Sequence, residues 1–265
     1  MFAFAPAGEA AAYDGGGRMI EIERIVENAD AEARAFVVPP HVITAIENAA
    51  ITTGAEFEYL LKTAALESSF IEDLEAKTSS AAGLYQFVER TWLIMMYTHG
   101  ADAGLGILSS AVVQAKDGDC RVHDAALRDE ILDLRNDAKL AALMAGAYAR
   151  MNAERMALIL GRAPDATELY IGHFLGPSGG AKLIELAESR PNDRANGYFR
   201  KAARANRSIF YDRRKPRTLR EVRDHIAGKY AAISVRQIAT TAPMVAADLL
   251  VPAPMPRPRL VLASE

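Results

Sequence analysis

The sequence is poor in the residues that build covalent or metal staples. Cys120 is the sole cysteine among 265 residues, which excludes an intramolecular disulfide and a cysteine zinc cluster. A lone thiol of this kind is expected to be buried and inert. The five histidines are scattered and no HExxH pair occurs, so no metal is expected. No apolar run approaches the ~20 residues a membrane-spanning helix needs. An excess of one charge is lacking too. With 31 basic and 34 acidic residues the net charge is −3, and no global field marks nucleic acid or a membrane as partner. There is no internal repeat and no convincing pair of alternating strands. The opening "MFAFAPAGEAAAYDGGG" is apolar, but its first basic neighbour is Arg18 and Glu9 interrupts it. It is not read as a secretory signal.

What is present is helical. Half of the residues are hydrophobic, enough for a real core, and the length suits one domain with tails. Residues 1–37 are expected to be a poorly ordered lead-in, 38–230 the domain, and 231–265 an Ala/Pro-rich disordered tail. Pro39 and Pro40 punctuate the start of a first helix that Gly54 ends. Phe57, Leu60, Leu61, Ala64 and Ala65 form one buried stripe at helical spacing. A further helix closes at Gly100. In "NDAKLAALMAGAYARM" the residues Leu140, Leu143, Met144, Ala147, Tyr148 and Met151 share a face, with Asn136 or Asp137 as cap. Asp165 with Glu168 reads as a capping box, and Gly176–Pro177 as a stop. Two short amphipathic helices follow, "GGAKLIELAESR" and "TLREVRDHIAGKY", the latter with Thr218 and Glu221 as a second capping box. Trp92, mid-helix among Leu93, Ile94 and Met95, is expected in the core.

One carboxylate stands out from this pattern. In "ALESSF", residues 65–70, Glu67 sits at the shoulder of the buried stripe and in the last turn of its helix. Burial disfavours an ionised carboxylate, and so does the partial negative charge of a helix C-terminus. A glutamate that must donate a proton near neutral pH needs such surroundings. Twelve residues later, "SSAAGLYQF" combines small residues, a glycine that permits close backbone approach, an aromatic face and an amide.

Together these segments carry a resemblance. "ALESSF" followed by "TSSAAGLYQFVERTW", then "LYIGHFLGPSGGAKLI" and "ANRSIFYDRRKPRTLREV", resembles the catalytic region of soluble lytic transglycosylases, a group with the goose-type lysozyme fold. The likeness spans about 41–229. It implies a mainly α, lysozyme-like domain that cleaves the β-1,4 bond between N-acetylmuramic acid and N-acetylglucosamine in peptidoglycan strands, without cofactor. It implies Glu67 as the general acid and base, with the substrate's 2-acetamido oxygen stabilising the cationic centre and a 1,6-anhydro ring as product. Ser79, Ser80, Gly83, Tyr85 and Gln86 would line the glycan cleft, although many relatives have Met at Tyr85. The third block departs from the family. Where many members have Tyr-Asn, this chain has His173 and Phe174. Tyr170, one turn earlier on the same face, is the candidate for the missing hydroxyl. The substrate would place the protein in the periplasm or cell envelope.

Each of these residues also has a structural reading. Ser79 and Ser80 suit helix caps, and Tyr85, Tyr170 and Phe174 suit core aromatics. His173 suits a hydrogen-bonded structural histidine. Residues 200–223 hold ten Lys or Arg with Tyr198, Phe210 and Tyr211 in or beside them. Such a stretch suits a solvated charged face or an anionic glycan, and nucleic acid is not expected. Arg213, Arg214 and Lys215 are expected on an exposed loop. The alternatives to a transglycosylase are a hydrolytic muramidase on the same scaffold and a non-catalytic glycan-binding envelope protein.

Overall fold

A computed structural model describes residues 19–24, 34–77 and 79–238. The chain runs through β1 (Met19–Arg24), β2 (Arg34–Val37), α1 (Pro40–Thr53), α2 (Phe57–Ser68), α3 (Glu89–His99) and α4 (Gly106–Ser110). A small hairpin of β3 (Val113–Gln114) and β4 (Cys120–Arg121) leads to α5 (Ala125–Asp133), a 3-10 turn at Leu134–Asn136, and the long α6 (Ala138–Leu160). Then come α7 (Ala166–Leu175), α8 (Pro177–Ser189), α9 (Ala195–Tyr198), α10 (Arg200–Ala205) and α11 (Arg207–Phe210). A second hairpin, β5 (Tyr211–Asp212) and β6 (Lys215–Pro216), precedes α12 (Leu219–Ala231) and β7 (Ile233–Ile238). The protein is mainly helical. Among the described residues, no helix is long and apolar enough to cross a membrane.

Local signals set several helix ends. Gly54 takes the left-handed conformation, φ 73°, that ends α1, as glycine does at low steric cost. The Asp137 side chain accepts from the Lys139 and Leu140 amides to start α6. Both expected capping boxes form, Asp165–Glu168 on α7 and Thr218–Glu221 on α12. Trp92 is fully buried and donates its Nε1–H to the Ile131 carbonyl at 2.6 Å. Cys120 is buried, and burial first, then the Asp119 charge, pushes its thiol up.

The centre of the core is α6, packed on α1, α7 and α8. Its most buried positions differ from the expected face. Ala138, Ala141, Ala142, Met144, Ala145, Gly146, Ala149, Asn152 and Met156 are buried, whereas Leu140, Leu143, Ala147, Tyr148 and Met151 are only half-buried. The small side chains face the closest neighbours. A Cβ on Gly146 would overlap the Thr53 side chain of α1, and one on Gly172 of α7 would overlap the Met156 sulfur. A helix enclosed on several sides is not confined to one apolar stripe, so the larger residues point into the wider spaces between neighbours.

The strands correct a second expectation. β1 pairs antiparallel with both β2 and β7 in the order β2-β1-β7, with Glu21 opposite Val37 on one side and Arg236 on the other. Three segments assigned to tails therefore build one sheet. "MIEIER" does alternate at period two, but a single short strand is not stable alone. One of its partners, β7, lies at the far end of the chain, out of reach of a local reading. The rest of the expected tails, 1–18, 25–33 and 239–265, lies outside the described residues.

Candidate active site

Helix α2 delivers Glu67 in its last turn. The helix ends abruptly because Ser69 and Phe70 both adopt left-handed backbone, φ 52° and 65°. Non-glycine residues rarely do this, at a cost of about 1–3 kcal/mol each, and such strain clusters at functional sites. The surroundings hold the turn in place. The Ser69 amide donates to Ala65 O at 3.2 Å, the Ile71 amide to Ser68 O at 3.1 Å, and Phe70 is buried. The Ser68 hydroxyl donates to the Leu84 carbonyl at 2.8 Å, which ties the end of α2 to the 79–87 loop.

That loop is held by contacts the sequence did not reveal. Gly83 has φ 80°, and a Cβ there would overlap the Arg135 carbonyl oxygen, so its close approach is to protein backbone. The Arg135 guanidinium donates to the carbonyls of Ser80 at 2.6 Å, Phe87 at 3.2 Å and Leu132 at 2.7 Å. Gln86 is buried with φ 47°, and its Nε2 donates to Leu74 O at 2.7 Å and Gly83 O at 2.9 Å. Its amide donors are thus committed to holding the loop. Ser80 Oγ accepts from the Glu89 amide at 3.3 Å and so caps α3, and Ser79 Oγ accepts from the Ala81 amide at 3.3 Å. The capping reading thus describes Ser80, while Ser79 closes a local turn and Gln86 braces the loop.

The departure at His173 has a clear counterpart in space. Nε2 of His173, on α7, lies 3.2 Å from Oε1 of Glu67, with side-chain exposures of 24% and 12%. Tyr170 stacks on the imidazole, centroids 5.9 Å apart and planes within 9°. Tyr148 meets the imidazole edge-on at 6.3 Å, and meets Phe87 at 6.2 Å. Behind Tyr170, Tyr230 of α12 stacks at 5.3 Å, with the Lys62 ammonium 5.1 Å from its ring centre. Phe174 is half-buried against the core. Arg162 braces the start of α7 by a two-pronged pair with Glu168, both bonds 2.6 Å. That pair first, and the Asp165 amide after it, hold the Glu168 carboxyl below the usual range against the effect of burial.

A cavity of about 10 Å³ lies behind the imidazole, lined among others by Tyr59, Thr63, Tyr85, Phe87, Tyr148 and His173. That is room for about one water. The Tyr85 hydroxyl is buried here with no hydrogen-bond partner among the described residues. Burial pushes the Tyr85 phenol well up. Burial also raises the Tyr59 phenol, opposed by a hydrogen bond with Thr63 and helped by Tyr230 and the charge of Glu67. Both phenols stay neutral near neutral pH. Sequence reasoning passed over Tyr59, although Tyr59, Thr63 and Glu67 recur every fourth residue on α2 and so share a face.

The larger cleft, about 330 Å³, lies elsewhere. Asp212, Lys215, Pro216, Arg217, Glu221, Asp224 and His225 line it, at the second hairpin and α12. Several of its polar groups are engaged with the fold. Arg217 Nη1 donates to the carbonyls of Ser208, Ile209 and Tyr211, and Glu221 serves the α12 capping box. Arg213, Arg214 and Lys215 are exposed at the hairpin, as expected for a surface turn. Of the aromatics of the basic stretch, Phe210 is fully buried, Tyr198 donates to Asp193 at 2.6 Å, and the Tyr211 ring carries the Arg207 guanidinium 4.5 Å from its centre. Among the described residues no group of three or more His, Cys, Asp or Glu is placed to hold a metal ion. No protein-family model matches the chain.

Proposed function

We propose that this protein is a peptidoglycan lytic transglycosylase of the cell envelope, with Glu67 as its acid and base. The observation that carries this reading is convergence. The end of α2, the 79–87 loop and α7, which bear the resembling motifs, meet at one place, where Glu67 is paired with His173 beside Tyr85 and Phe87. A mostly buried carboxyl on a strained helix end, among neutral phenols, suits proton transfer.

The chemistry needs one proton in motion. Glu67 gives its proton to the bridging oxygen as the bond to C1 of the muramyl residue breaks. The 2-acetamido oxygen of the same sugar bonds to C1 and spreads the positive charge, so no second carboxylate is required. The Glu67 carboxylate then takes the proton of the C6 hydroxyl. O6 displaces the acetamido oxygen at C1, closing the 1,6-anhydro ring and returning the proton to Glu67. No water is consumed. The cavity behind His173 is far too small for a sugar ring, so the glycan lies across the rim, over Glu67.

The test is the mass of the products released from purified sacculi. Anhydro-muramyl products support the reading. Products heavier by one water would instead make the protein a hydrolytic muramidase, and binding without turnover would make it a glycan-binding scaffold. The water-sized cavity with the orphan Tyr85 hydroxyl is the one feature that favours hydrolysis.

A further inference from the structure

The geometry points to a role for His173 that substrate contact does not describe: it is the positioning residue for Glu67, its Nε2–H donated to Oε1 so that the other carboxyl oxygen, Oε2, carries and recovers the proton. This inference rests on the reading of Glu67 as the acid and base.

Three observations combine. First, the 3.2 Å separation of Nε2 and Oε1 is that of a hydrogen bond, and both side chains are largely withdrawn from water. There the bond is stronger than it would be at the surface. Second, the imidazole has little freedom. Tyr170 covers one face, nearly parallel, and Tyr148 abuts the ring edge-on. Tyr230 in turn backs Tyr170, and the capping box with its Arg162 brace anchors the helix that carries both Tyr170 and His173. Third, the titratable groups packed directly around the pair are phenols: Tyr59 from α2, Tyr85 from the loop, Tyr148 from α6, Tyr170 from α7 and Tyr230 from α12, while Lys62 lies over the Tyr230 ring and pairs with Glu58 at 2.7 Å. Among the described residues Glu67 pairs with the imidazole and with no lysine or arginine, so the imidazole is its polar clamp.

The consequence for catalysis is differential. A neutral imidazole that donates to Oε1 fixes the carboxyl plane while Glu67 is protonated on Oε2. When Oε2 gives up its proton, the acceptor becomes a carboxylate and the same bond becomes charge-assisted, about twice as strong. Stabilisation that grows as the reaction proceeds raises kcat and leaves substrate binding nearly unchanged.

The experiment compares wild type with His173→Phe, which keeps an aromatic ring in the stack but removes the donor, and His173→Gln, which restores an amide donor. Thermal melting checks that each folds. With sacculi or a soluble glycan as substrate, His173→Phe should lower kcat roughly 10-fold to 100-fold with KM within about twofold, and Gln should recover much of the loss. A raised KM at unchanged kcat, or a Gln variant as poor as Phe, would overturn the assignment in favour of a substrate contact. A second measurement needs no turnover. In ¹⁵N-labelled protein, His173 should show a slowly exchanging Nε2–H resonance that Glu67→Ala abolishes. If that coupling is present but wild type cleaves no glycan, the functional reading fails and the pair stands. If glycan is cleaved and the resonance is indifferent to Glu67→Ala, the pair fails and the functional reading stands.

Discussion

The rim around Glu67 and the cleft at the second hairpin handle polar groups in opposite ways. At the rim, one carboxyl and one imidazole sit among aromatic rings, mostly buried. At the hairpin, three carboxylates, a lysine, an arginine and a histidine line an open space more than thirty times larger, about 330 Å³ against 10 Å³. Arg217 there is consumed by backbone carbonyls, and Asp224 pairs with Arg223 at 2.6 Å. Under the proposed reading, cleft volume and density of charge are poor guides to where the chemistry lies. A group shielded from water, beside a strained helix end and held by one partner, is better placed for proton transfer than groups committed to the fold.

The largest expected effect separates the two regions outright. Glu67→Gln should lower cleavage of sacculi by roughly 10²–10⁴-fold, with little change in melting temperature, because the amide is isosteric. Turbidity loss measures it, and equal rates would remove Glu67 from the mechanism. Neutralising Asp212 in the same assay should leave the rate near that of wild type.

Next comes the loop beneath the rim. Gly83→Ala forces a side chain onto a backbone at φ 80° and into the Arg135 carbonyl, and should destabilise the fold by roughly 1–3 kcal/mol. Arg135→Met frees three carbonyls from their donor, at about 1–3 kcal/mol for each one left buried and unpaired. Urea unfolding checks both. If either variant is as stable as wild type, the loop is held by something other than this clamp.

The hairpin cleft has its own signature in pH. Burial first, then Arg217 and Lys229, lower the pKa of His225 below its ordinary 6.5. The unfolded chain thus binds the proton more tightly than the folded one, so His225 adds stability above pH 6.5. That contribution declines as pH falls below 6.5 and is lost through the lower folded value. In His225→Phe that part of the acid-side decline in melting temperature should disappear. An unchanged pH profile would place His225 in ordinary solvent.

The smallest effect is at long range. Reversing Arg213, Arg214 and Lys215 to Glu should weaken association with sacculi at low salt, and the difference should fade as the Debye length drops below ~8 Å. Cleavage of a short neutralised glycan should hardly change. A triple variant that fails on the short substrate would join the hairpin to the reactive rim. Tight, salt-sensitive binding of wild type to duplex DNA would point to nucleic acid instead.

How much of this was legible depends on the range of each interaction. The sequence alone determined where α1, α6, α7 and α12 begin or end, because Gly54, Asp137, Asp165 with Glu168 and Thr218 with Glu221 act on amides within a turn of themselves. It determined that Trp92 is core, and that Glu67 lies in the last turn of its helix at the edge of an apolar stripe. Only the tertiary structure decided the rest. It joined β1 to β7, turned the alanine face of α6 inward, committed Gln86 and Ser80 to the backbone, and brought His173 to Glu67 across 106 positions of chain. A cap or a stripe is written in residues a few positions apart. A hydrogen bond between distant segments exists only after the packing of whole helices has set where each side chain ends, and no local pattern encodes that distance.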